Sequence, residues 1–206
     1  MDGALVHRSG RTVLVRLAVL LLAVVFASAA RGARPDTKTM VLRLSDLPPT
    51  TRLADTGYTS NSRAARDSPA LTIADFDRWG RIMGYAAEYV LARGTMLTSR
   101  AEIFRTTSGA DASLRSSFEH ATRVKTATGA VLHFRRVAGV SVGEDGRMFT
   151  TTLNEGGKTV MLAAVMWRDA RAKGELFLMG PPVVVNVAAV TRLAGEQQSR
   201  IAAALR

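Results

Sequence analysis

From Lys158 to Arg168 the chain is apolar on both alternations of an extended backbone. Val160, Leu162, Ala164 and Met166 fall on one side, and Met161, Ala163, Val165 and Trp167 on the other. A strand that hides both faces must lie inside a sheet with cover above and below, so this segment predicts a central strand. Glu175 to Met179 repeats the character, with Asp169 to Gly174 as a polar turn between the two. Upstream, Asn154-Glu155-Gly156-Gly157 predicts the hairpin turn that feeds the central strand. Gly180-Pro181-Pro182 ends the sheet, because each proline removes a backbone donor.

Arg81 to Val90 alternates with period two and predicts a further strand; Gly94 turns it into another, Met96 to Thr106. Ala130 to Val137 and Arg147 to Leu153 read as strands separated by a stretch containing Gly139, Gly143 and Gly146. Thr72-Ile73-Ala74-Asp75 has capping-box spacing and predicts a short helix that stops at Gly80. Ser108-Gly109-Ala110-Asp111 opens a helix near 109–123 with Ala110, Leu114, Phe118 and Ala121 in one stripe. Asn186 caps a C-terminal helix that places Val187, Val190, Ala194, Ile201 and Leu205 on one side, with Gln197, Gln198 and Arg200 on its wet side or flanks. Thr50 to Pro69 lacks apolar periodicity and reads as an exposed loop. The sum is an α+β fold, a mainly antiparallel sheet of about five to six strands packed against two longer helices.

The N-terminus has the three parts of an export signal: basic His7, Arg8, Arg11 and Arg16, an apolar run from Leu17 to Ala30, and the small residues Ala27-Ser28-Ala29. Cleavage after Ala29 is expected, which gives residues 1–29 as a signal peptide, 30–39 as a linker and 40–206 as a single α+β domain. The protein is then extracytoplasmic or secreted. An uncleaved N-terminal helix serving as a membrane anchor is the alternative, although Arg16 interrupts the apolar stretch. The formal net charge is +11, and removal of the signal takes away three arginines and one aspartate, so the balance stays positive. Such a surface can be held at anionic lipid or acidic wall polymer. Nucleic acid is not an expected partner, because the basic residues are spread along the chain with no run interleaved by aromatics.

There is no cysteine, which excludes disulfides, thiolate nucleophiles and cysteine metal sites. His120 and His133 have no metal-ligand spacing, no GxSxG elbow occurs, and the 139–146 glycine stretch lacks GxGxxG order. No cofactor, metal site or catalytic residue is therefore expected. The candidate ligand-contacting residues are His133 and Arg135, read as sharing one strand face, Tyr58 and Asn61 in the long loop, and Tyr85 and Tyr89 on one strand.

Five strings carry a family likeness: Leu44-Ser45-Asp46-Leu47-Pro48-Pro49, Trp79-Gly80-Arg81-Ile82-Met83-Gly84-Tyr85, Gly109-Ala110-Asp111-Ala112, Val165-Met166-Trp167-Arg168, and Glu196-Gln197-Gln198-Ser199-Arg200-Ile201. Together they resemble an uncharacterised group of exported bacterial α+β proteins, with a layout similar to PsbP-like and PknH-type extracytoplasmic sensor domains. The PknH-type domains stabilise two helices with disulfides, a feature this cysteine-free chain does not share. The resemblance implies a non-enzymatic domain at the cell envelope that binds a small ligand or an envelope protein. The alternative from another class is a small exported enzyme with a pocket between sheet and helices and His133 as acid or base.

Overall fold

The computed structural model describes residues 35–68, 70–125, 131–155 and 157–206. The expected signal peptide and the first part of the linker lie outside them, as do Gly156 of the hairpin turn and Ala130. The compact unit spans Pro35–Arg206. Within it Asp36 caps a 3-10 turn, Thr37–Met40, whose Thr37 and Met40 are buried, so the chain is already packed where the linker was expected to run on to residue 39.

Among the described residues nine strands form: β1 (Arg52–Thr59), β2 (Arg81–Val90), β3 (Met96–Phe104), β4 (Arg123–Lys125), β5 (Val131–His133), β6 (Arg135–Val137), β7 (Glu144–Glu155), β8 (Lys158–Asp169) and β9 (Ala172–Gly180). The helices are α1 (Asn61–Asp67), α2 (Ile73–Arg78), α3 (Thr107–Ala121) and α4 (Val187–Leu205). Seven strands make one antiparallel sheet in the order β1-β2-β3-β9-β8-β7-β6, and β4 pairs β5 separately. The sheet is two meanders joined where β9 returns to lie beside β3. Among the described residues no helix is long and apolar enough to cross a membrane.

The α+β class holds, with more strands than expected. The supposed loop Thr50–Pro69 contains β1 and α1. β1 is an edge strand exposed along most of its length, so it needs no apolar alternation and leaves no period-two trace. The expected strand Ala130–Val137 divides at Phe134, whose N–H donates to the Thr122 carbonyl, and its halves pair with different partners, β4 and β7. The turn between β8 and β9 is shorter than expected, since Asp169 already pairs Ala172.

Each sheet face has its own cover. On the first face Tyr89, Leu97, Val165, Leu176 and Leu178 pack against α4 and the N-terminal segment. Trp167 is fully buried there. Its ring lies over Gly174 on β9, where an added Cβ would stand 2.4 Å from ring carbons, so only glycine fits beneath it. Gln197 is also fully buried on this side of α4, contrary to its expected place on the wet side or a flank. Ser99 Oγ donates to its Oε1 at 2.8 Å, and its Nε2 donates to the Arg100 carbonyl at 2.7 Å. A buried amide is tolerated because Ser99 and the Arg100 carbonyl of β3 supply its partners. Arg200 holds Asp46 through two bonds of 2.7 and 2.6 Å, which ties the N-terminal segment to the last helix.

The second face is covered in two pieces. α1 and α2 close the β1–β3 side through Ala64, Phe76, Trp79 and Phe104. α3 and the β4–β5 ribbon close the β7–β8 side through Leu114, Phe118, Leu132 and Phe134 against Phe149, Leu162 and Met166. A hollow remains between the two.

Candidate functional site

The hollow has a volume of about 680 Å³ and spans from Ala64 and Phe76 to Phe134 and Met166. That is the size of a small-molecule cavity, and its lining combines aromatic and aliphatic side chains with a few polar groups on the floor. The floor is formed by alternate residues of β3 and β9. Glu102 faces Lys173 and Arg100 faces Glu175 as direct cross-strand partners. Alternation puts both pairs on the same face, because residues two apart on a strand point the same way.

A buried triad holds the inner end of the floor. Arg81 Nε donates to Glu102 Oε1 at 2.7 Å, and Lys173 Nζ stands 2.8 Å from Glu102 Oε2 as an ion pair off the hydrogen-bond line. The remaining donors are spoken for. Arg81 Nη1 reaches the Thr59 carbonyl and Asn61 Oδ1, both at 3.0 Å, and Nη2 reaches Thr59 Oγ1 at 2.7 Å. Lys173 donates to Ser117 Oγ of α3 at 3.1 Å. Burial alone pushes the Glu102 carboxyl upward, but the Lys173 and Arg81 cations outweigh it and hold the group down at about 2. Glu102 is therefore a carboxylate throughout the ordinary pH range, and the triad carries one excess positive charge.

His120, in the last turn of α3, borders the hollow. Its Nδ1 lies 2.7 Å from the Ser116 carbonyl oxygen, which can only accept, so Nδ1 carries a proton. Among the described residues no group of three or more His, Asp or Glu is placed to hold a metal ion.

Of the residues singled out from sequence, Tyr85 lines the hollow and the others fall elsewhere. His133 and Arg135 are both exposed, on either side of buried Phe134, and sit on different strands, β5 and β6. His133 does not line the hollow. Tyr58 lies on β1, not in a loop, and its ring meets Tyr85 edge-on at 5.0 Å while its hydroxyl donates to Asp36 at 2.8 Å. Tyr85 borders the hollow and is buried with Tyr89 in the first-face core, and the Tyr89 hydroxyl donates to the Leu42 carbonyl. Asn61 opens α1, donates to Asp77 at 2.7 Å and accepts from Arg81, so it positions the triad.

Sequence reading missed Arg81, Arg100, Glu102, Lys173 and Glu175. A signal was present. Arg100 and Glu102, and likewise Lys173 and Glu175, are charges two residues apart on segments whose alternate positions are apolar. Only the β3–β9 pairing turns the two stripes into one floor.

No family model matches the chain, and no curated protein matches it. Among solved structures it is similar to the crystal structure of the extracellular domain of PknH from Mycobacterium tuberculosis, with a TM-score of 0.55 at 12% sequence identity, over 82% of this chain and 100% of that one. At that identity the likeness is one of fold.

Proposed function

We propose that this chain is an exported, non-enzymatic domain of sensor or accessory type at the cell envelope, and that it binds a small ligand in the hollow on the second sheet face. The observation that carries the reading is the hollow itself: about 680 Å³, open between α1–α2 and α3, with apolar walls over an ordered charged floor. A buried ion triad contributes little net stability compared with well-packed apolar side chains, so holding one under an open cavity favours recognition over packing. The fold likeness to an extracellular domain and the export-signal pattern of residues 1–29 support the location. The excess positive charge supports retention at anionic polymer or lipid outside the membrane. The enzyme alternative required His133 in a cavity beside a second titratable group, and its exposed position on β5 does not favour it.

The test is a fragment-library titration of the folded domain followed by backbone amide NMR. Binders should perturb Phe76, Phe134, Lys173 and Phe177, and Ala164→Trp, which fills the hollow from β8, should abolish the response. Perturbations confined to the first face, or unaffected by Ala164→Trp, would overturn the reading.

A further inference from the structure

The cations on the floor differ in how their donors are used. Arg81 and Lys173 are committed to Glu102, Thr59, Asn61 and Ser117. Arg100 is not. Its Nε is shut away from solvent with no hydrogen-bond partner among the described residues. Glu175, directly opposite on β9, is not joined to it by an ion pair among the described residues. The floor thus holds three cations, Arg81, Arg100 and Lys173, against two carboxylates, Glu102 and Glu175, and Asp67 sits on the α1 wall. With Asp67 counted, the Lys, Arg, Asp and Glu charges of the lining balance, so the case for an anion rests on Arg100: a guanidinium whose Nε is shut away from solvent without a partner is best met by an acceptor that is itself anionic. The lining also has apolar members: Leu71, Phe76 and Phe134 outside the large sheet, and Met166 of β8 and Phe177 of β9 on it.

Building on the cavity-binding reading, we infer that the hollow takes an organic acid with an apolar body, its anionic head on Arg100 and its tail along Phe76, Phe134 and Phe177. Arg100 is then the specificity-determining residue, and the triad beside it on the same sheet face is the rigid support of the floor.

Three probes that share one tail separate the terms: decanoate, decanol and decylammonium, each titrated calorimetrically into the folded domain at physiological salt, where exposed surface charge is largely screened. Decanoate should bind about tenfold or more tightly than decanol, the ratio expected for a charge-assisted hydrogen bond, and decylammonium should be weakest. Arg100→Gln should bring decanoate and decanol to similar affinities, and Arg100→Lys should keep part of the preference. Equal binding of the three probes to the wild type would overturn the anionic-head assignment while leaving a binding cavity. So would a decanoate preference that survives in Arg100→Gln. Failure of all three to bind, or binding unchanged in Ala164→Trp, would overturn the cavity reading and this inference with it. The wild-type comparison stands whether or not the arginine variants fold.

Discussion

Gly84 lies under the guanidinium of Arg81: a Cβ added to Gly84 would stand 2.4 Å from Arg81 Nη2 and 2.6 Å from Thr59 Oγ1, its hydrogen-bond partner. The bare backbone at this position of β2 is what lets a charged side chain lie down against the sheet and reach Glu102 on the neighbouring strand. Gly84→Ala should therefore displace Arg81 and cost on the order of 1 to 3 kcal/mol, the usual range for overpacking. Urea denaturation measures it, and a loss below about 0.5 kcal/mol would mean that Arg81 moves freely.

Glu102 should govern acid stability. Its folded-state value, about 2, lies below its ordinary 4.5, so ionised Glu102 stabilises the fold in full above about pH 4.5, and that contribution is lost as pH falls toward about 2. A shift of this size is worth on the order of 3 kcal/mol. Denaturation midpoints of the wild type should fall across that window, and those of Glu102→Gln should be flatter. A parallel pair of curves would remove Glu102 as the cause.

The triad also predicts an asymmetry between its members. Glu102→Gln leaves Arg81 and Lys173 as two buried cations with no counter-charge, whereas Lys173→Met leaves a neutral Arg81–Glu102 pair. The first should cost about 3 to 5 kcal/mol and the second less, and the double variant should recover part of the loss seen in Glu102→Gln. Strictly additive losses in a double-mutant cycle would contradict the coupling.

Leu162 on β8 is buried between the sheet and the α3 layer, and truncation to Ala should cost about 2 to 5 kcal/mol. Arg66, exposed on α1, should tolerate the same change within about 0.5 kcal/mol. Similar losses at both sites would mean that the packing of the second face is misassigned.

Gly195 offers the opposite sign. It lies inside α4 with nothing within 4 Å of where a Cβ would stand, so Gly195→Ala should stabilise the protein by about 0.5 to 1 kcal/mol through helix propensity alone. Thermal melting reads this directly, and a lower midpoint would show that the position is crowded.

By itself the sequence determined the elements whose local pattern is also their tertiary role. β2, β3, β8 and β9, the capping box at Thr72, the α3 stripe and the Asn186 cap were all legible, because period-two alternation, 3.6-residue stripes and capping side chains act within a few residues of chain. Tertiary structure alone decided the rest. β1 reads as loop because an exposed edge strand carries no apolar face, and Gln197 reads as wet because its partners, Ser99 and the Arg100 carbonyl, are distant in sequence. The same holds for the floor of the hollow. Arg81, Arg100, Glu102, Lys173 and Glu175 are scattered polar residues until β9 returns beside β3, since periodicity tells a residue which way it faces and only strand pairing tells it what it faces with.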